Sequence, residues 1–298
     1  MNLKKLNQQY AIKDQLEFVT GKGGFTLAEI KNKFATARIS LYAGQLLSYC
    51  PTGASQDLLF NSELAYYETG KAIKGGVPVC WPWFGSDPED RGRPAHGFAR
   101  TSQWNVVNTH ATEDATCLTL QLTPSERTQK LWEHDFLLTL EMIVGKTLQL
   151  KLTTTNKSQQ AVSITQALHT YFKVGDISRT TVEGLEEKAY LDKVDQGIEK
   201  RQQGSVTISA EVDRIYTDVS NDLLIKDRSL SRDIRIHSSG SHSTVVWNPW
   251  TDIAAEMADL EDADYQRLIC VETANSAPDV IDILPGQSHQ LAVEYQIN

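Results

Sequence analysis

The sequence predicts an all-β protein, a large antiparallel β-sandwich with a few short helices. Three observations point there. Short apolar segments follow one another at close spacing from Leu16 to Gln296, parted by turn formers such as Gly21-Lys-Gly-Gly24. Several alternate apolar and polar residues with the period of a half-buried strand, as at Leu148, Leu150 and Leu152. Helical signals are few, and many strands with few helices argue for a sandwich. The 298 residues carry no internal repeat, linker or low-complexity segment, so residues 1–298 are expected to form a single domain.

Taken in order, residues 1–14 are polar and read as a loose arm or a short helix. Strands are expected at Leu16–Val19, Phe25–Ile30, Phe34–Leu41, Gln45–Cys50, Leu58–Phe60, Trp104–Val107 and Cys117–Leu122. Pro124–Trp132 reads as a helix, with Thr123 as N-cap and Glu126 at the capping-box position. Phe136–Val144 and Thr147–Thr155 form a hairpin about Gly145-Lys146. Ala161–Val174 reads as one long strand. Its oily positions are Val162, Ile164, Leu168, Phe172 and Val174, so His169 and Tyr171 point to the other face. Further strands are expected at Thr181–Val182, Lys188–Leu191, Val206–Tyr216, Leu223–Lys226, Ile234–His237, Thr244–Trp247, Leu268–Thr273 and His289–Gln296, with a weak helix at Ile253–Leu260.

One stretch does not read as generic β-sheet. In Lys74–Phe84, Gly75 and Gly76 permit sharp turns or close backbone approach, while Pro78 and Pro82 keep Val77–Phe84 from being a central strand. Trp81, Trp83 and Phe84 crowd three rings together, and His96 and Arg100 follow the charged loop Asp87–Arg93. An aromatic wall flanked by cations suits a polar, flat, negatively charged ligand. The same residues would equally serve as an aromatic plug between layers, with Arg100 in a structural ion pair.

Other residues could carry chemistry. His169 can exchange protons near neutrality. Glu272 ends the apolar run Leu268–Val271, where a carboxylate is costly unless paired and where burial would raise its pKa toward that of an effective base. Asp213 shares the polar side of its strand with Glu211 and could grip sugar hydroxyls, or simply pair with Arg214. Trp247 and Trp250 flank Asn248-Pro249, where a ring could stack on a sugar or pack in the core. No histidines or cysteines cluster at metal-ligand spacing, and no phosphate-cradling, dinucleotide or nucleophile-elbow glycine motif occurs. The net charge of −9 disfavours nucleic acid and anionic membranes. Four scattered cysteines, no signal-peptide pattern and no apolar run near the ~20 residues of a membrane span predict a soluble, cytoplasmic protein.

Lys74–Gly85 with Pro94–Arg100 resembles the signature of the hexose-6-phosphate mutarotases, or glucose-6-phosphate 1-epimerases, a branch of the aldose 1-epimerase superfamily. Leu168–Phe172, Glu211–Tyr216, Trp247–Trp250 and Cys270–Asn275 continue the resemblance in family order. It implies the galactose-mutarotase-like supersandwich. It also implies that His169 is the proton donor, Glu272 the base, Asp213 a substrate ligand and Arg100 the phosphate ligand, with His96 helping to hold the sugar. The family's usual arginine before Gly-Gly is Lys74 here, and the glutamine common before His-Gly-Phe-Ala-Arg is Ala95. Both departures bear on substrate range.

The resemblance thus implies anomer interconversion of glucose 6-phosphate or a related aldohexose 6-phosphate with no cofactor, and a monomer with a hexose phosphate as its small-molecule partner is expected. Two rivals stay open. A glycoside hydrolase could use Glu272 and Asp213 as its carboxylate pair and would release reducing sugar. A non-catalytic sugar-phosphate-binding module would leave anomer exchange at its uncatalysed rate.

Overall fold

Two large sheets lie on either side of the main apolar core, and a computed structural model describes them over residues 2–298. All ladders are antiparallel. The nine-stranded sheet runs Val206–Thr207, Thr180–Glu183, Asp222–Asp227, Arg232–Ser239, Ser288–Ile297, Leu148–Asn156, Phe136–Gly145, Ala115–Leu122 and Asn105–Ala111. The eight-stranded sheet runs Ile198–Arg201, Ala189–Asp192, Val212–Thr217, Ser243–Asn248, Leu268–Asn275, Gln166–Leu168 and Val79–Cys80, with Tyr171–Lys173 also paired to Leu268–Asn275. A four-stranded sheet of Leu16–Thr20, Thr26–Lys31, Ala35–Ser40 and Gln45–Pro51 and the pair Val162–Ile164 with Ile281–Ile283 complete the β structure.

Alternation decides which side chains join the core. Val246, Ile269, Val271 and Phe172 of the eight-stranded sheet meet Leu140, Leu150 and Tyr295 of the nine-stranded one, with Phe172 edge-on to Tyr295 at 5.3 Å. The opposite face of the eight-stranded sheet therefore carries Val245, Trp247, Cys270, Glu272 and Ala274, and this face is not bare. Every residue of Leu268–Asn275 is buried, as expected of a strand covered on both sides.

Several elements differ from expectation for identifiable reasons. Residues 1–14 contain a true helix, Leu3–Tyr10, because Asn2 caps it by accepting from the Lys4 amide. The helix expected at Pro124–Trp132 spans Glu126–Leu131. Its cap is Ser125, reciprocated by Thr128, rather than Thr123 with Glu126. Leu58–Phe60 forms only isolated contacts, such as the Leu59–Phe172 bridge. The strand expected at Val206–Tyr216 is two strands, because its ends pair in different sheets: Val206 with Val182, and Val212 with Asn248. The helix near Ile253 begins earlier, at Trp250, and ends at Glu256. Val79–Cys80 is a two-residue strand at the sheet's end, in keeping with the flanking prolines.

Ala161–Val174 is broken into Val162–Ile164, Gln166–Leu168 and Tyr171–Lys173. The second break falls at His169-Thr170, where the His169 amide turns to the Pro78 carbonyl, 3.0 Å away. The register does not slip across it: Leu168 faces Thr273 before the break and Tyr171 faces Cys270 after it. His169 is thus left opposite Glu272, on the outer face.

Candidate active site

The outer face of the eight-stranded sheet sets the site in two cross-strand rows. Asp213 pairs with Trp247, Trp247 with Cys270 and Cys270 with Tyr171. One row over, Ile215 pairs with Val245 and Val245 with Glu272, beside which stands His169. Residues far apart in sequence are brought together by register alone.

His169 Nδ1 lies 3.4 Å from Glu272 Oε1, with the two side chains 11% and 1% exposed. The contact is close but not aligned as a hydrogen bond, and neither His169 Nδ1 nor Glu272 Oε2 has another partner among the described residues. Facing each other at this distance, the two groups can each still bond a third group placed between them. Burial, and then the Asp213 carboxylate, holds Glu272 well above the ordinary carboxylate range, with Arg100 opposing. Burial, and then His96, Arg100 and Lys74, holds His169 well below the ordinary imidazole range. Both shifts favour the neutral forms, a carboxylic acid beside a neutral imidazole. Asp213 is raised to about 6, chiefly by burial.

The loop from Trp81 to Arg100 lies against this face through Phe84 and His96. Its base is held where Trp81 bridges Gly97 and where the Phe98 and Ala99 amides donate to the Trp81 carbonyl. Gly97 is required there: a Cβ would sit 2.0 Å from that carbonyl oxygen, and the backbone has a φ of +69. Next to it His96 adopts a φ of +61, strain of about 1–3 kcal/mol for a residue with a side chain. The strained backbone brings the His96 ring centroid to 5.9 Å from His169 and 4.9 Å from Phe84. Its Nδ1 accepts the Gly85 amide at 3.3 Å, so the proton of the neutral ring sits on Nε2, free to donate. Burial and then Arg100 push its pKa down to about 3, so it stays neutral.

The cations differ in what they touch. Arg100 donates to the Ala95 carbonyl at 2.9 Å, and among the described residues no carboxylate lies within ion-pair distance of it. The structural ion pair open to it in the sequence does not form. Lys74 is engaged, 3.4 Å from Asp259 and 3.6 Å from Met257 Sδ. Gly75 and Gly76 serve packing, since a Cβ at either would run into the backbone of Phe60–Asn61 or Leu46.

Of the two readings open to Trp81, Trp83 and Phe84, a ligand wall or a plug, the structure shows mostly a plug. Trp81 and Trp83 are buried in the main core, Trp81 donating to Thr154 Oγ1 at 2.9 Å, and only Phe84 looks toward the site. Trp250 leans on Tyr265, whereas Trp247 stands edge-on to His169 at 6.3 Å. Tyr171 and Asp259 are neighbours that site prediction passed over. Tyr171 could have been found two positions from His169 on the same face, but nothing local marks Asp259 as the partner of Lys74. No group of metal-ligating residues occurs among the described residues.

Residues 26–296 match the aldose 1-epimerase family. The chain belongs to that family. A relative from Escherichia coli (strain K12), named "Putative glucose-6-phosphate 1-epimerase", is 39% identical over 239 residues, covering 80% of this chain and 79% of that protein. A Salmonella typhimurium relative of the same name is 36% identical over 238 residues, covering 80% and 79%. The solved structure described as a "putative mutarotase" from Salmonella typhimurium superimposes with a TM-score of 0.90 at 31% identity, covering 97% of this chain and 95% of that one. The aldose 1-epimerase sandwich expected from the motifs is the fold observed, and the chain is a sugar mutarotase. No helix among the described residues is long and apolar enough to cross a membrane.

Proposed function

We propose that the protein interconverts the α and β anomers of glucose 6-phosphate, with His169 and Glu272 as the proton-transfer pair. The single observation that carries this reading is the pair itself: an imidazole and a carboxyl 3.4 Å apart, buried and otherwise unpartnered among the described residues. Glu272, as carboxylate, takes the proton of the C1 hydroxyl while His169, as imidazolium, gives one to the ring oxygen. The C1–O5 bond breaks, the aldehyde forms, and C1 rotates about its bond to C2. The same two groups then return the protons as the ring closes on the other face. The cycle consumes nothing.

Burial favours the neutral form of the pair, whereas the reaction needs the charged form. Both carry one proton, so only an internal transfer from Glu272 to His169 separates them. A phosphate dianion seated on Arg100 would offset the positive charge that opposes protonating His169, so substrate binding itself favours the reactive form. Asp213 and the Nε2–H of His96 supply an acceptor and a donor for sugar hydroxyls. The "glucose-6-phosphate" in the relatives' names supports the phosphorylated substrate. A cytoplasmic setting suits the four free thiols.

Exchange NMR between the two anomeric signals of glucose 6-phosphate tests the reading. Catalytic amounts of protein should exchange them without metal or nucleotide, and unchanged exchange with folded protein would leave only a binding module.

A further inference from the structure

A catalytic histidine is ordinarily held in plane by a hydrogen bond to one ring nitrogen. His169 has none at Nδ1 among the described residues. Flat against its ring lies the phenol of Tyr171, with centroids 4.8 Å apart and planes within 6°. Trp247 stands edge-on to both, 6.3 Å from His169 and 6.0 Å from Tyr171. Tyr171 is itself locked: it is 5% exposed, lies among Phe60, Leu268 and Cys270, and pairs through its backbone with Cys270. The two rings stack because they are two positions apart on one face, across a break that keeps the register.

We propose that Tyr171 is the positioning residue for His169, fixing the imidazole plane by face-to-face stacking in place of a hydrogen bond. A stacked ring leaves both imidazole nitrogens available, one toward Glu272 and one toward substrate. It also presents the negative face of a π-system to an imidazole that becomes a cation during turnover, which lowers the cost of that charge in a buried site. The attraction grows as the proton arrives, so it favours the reacting state over the resting one.

The inference rests on the role given to His169 above, and the test separates the two. Wild type, Tyr171→Phe and Tyr171→Leu are compared in kcat and KM on glucose 6-phosphate, with thermal melts to establish folding. The His169 ring signals are followed by carbon–proton NMR, assigned by their loss in His169→Asn. From the usual strength of an aromatic pair, Tyr171→Phe should stay within about twofold of wild type, while Tyr171→Leu should lower kcat about threefold to tenfold at nearly constant KM. The His169 ring protons should keep their ring-current shift in the Phe variant and lose it in the Leu variant. If Tyr171→Leu does not fold, Tyr171→Met takes its place. The proposal is overturned if the Leu variant leaves kcat and the His169 signals unchanged, or if Phe falls as far as Leu, which would move the role to the hydroxyl. Should wild type show no anomer exchange, the role of His169 falls, while the NMR comparison still supports or overturns the stacking.

Discussion

The two large sheets solve the same problem in opposite ways. In the nine-stranded sheet, Phe136–Gly145 and Leu148–Asn156 pair from Phe136 with Asn156 to Val144 with Leu148 without a slip, and buried residues alternate with half-buried ones. In the eight-stranded sheet the segment through His169 is broken, and the strand it faces, Leu268–Asn275, is buried on both faces. The regular sheet puts its fully buried apolar side chains into the main core and leaves others, such as Leu137, Ile143 and Val107, on its outward face. The irregular sheet carries that core on one face and, on the other, a carboxyl and an imidazole with unpartnered atoms. Chemistry resides where the fold tolerates groups that cost stability, and the regular sheet supplies the margin that allows it.

The sharpest way to break this comparison is Glu272→Gln. General acid–base groups contribute about 10²–10⁴-fold, so turnover should fall by that much. Stability should move the other way. The folded pKa of Glu272 is raised, so its contribution to stability is fully present below the unfolded value and is lost as pH rises through the folded one. Glutamine never ionises, so the variant should gain on wild type progressively above a pH of about 4.5. Melting temperatures across a pH series check this. A variant inactive and less stable at every pH would place Glu272 among the supports of the fold.

The converse belongs to the other sheet. Leu150→Ala empties part of a fully packed core, in a strand whose alternation is unbroken. Large-to-small changes of this kind cost about 2–5 kcal/mol, so denaturant midpoints should drop sharply. Turnover per folded molecule should not change, because Leu150 lies in the core on the opposite side of the eight-stranded sheet from the site. A loss of kcat in the folded fraction would mean that the two sheets are coupled.

How much of this could be read from the chain follows from the same contrast. Period-2 alternation is local, so the long central strands of the regular sheet, Phe136–Gly145 and Leu148–Asn156, were legible nearly to the residue, as was the shared face of His169 and Tyr171. The buried run ending in Glu272 was legible because a carboxylate among Leu, Ile, Cys and Val is conspicuous. Pairing partners are not local. Nothing near residue 209 says that Val206 and Val212 pair in different sheets, and nothing near His169 says that its amide turns to Pro78. Trp81 and Trp83 read equally as a ligand wall or a plug, because ring size and hydrophobicity suit both. Only their place in the fold, with Trp81 bonded to Thr154, decides it.

The two cations of the outer face set the smallest effect and sharpen the comparison most. Among the described residues the Arg100 side chain bonds only a backbone carbonyl and can turn its remaining donors to a phosphate, whereas Lys74 is tied to Asp259. Losing a hydrogen bond to a charged group costs about 1.5–3 kcal/mol, roughly a tenfold to hundredfold loss in kcat/KM. Arg100→Ala should lose that much on glucose 6-phosphate and almost nothing on free glucose, with its melting temperature near wild type. Lys74→Ala should lose less on glucose 6-phosphate and should also lower the melting temperature, since it leaves Asp259 half-buried and unpaired. Lys74→Arg, which restores the residue usual in the family, should be tolerated on both counts. Measuring kcat/KM on both sugars together with melts for the three variants decides the matter. Equal losses on the two sugars would make both cations part of the scaffold and withdraw the phosphate pocket. A selective loss confined to Arg100 would mean that Asp259 keeps Lys74 even when substrate is bound, leaving Arg100 alone to distinguish a sugar phosphate from a sugar.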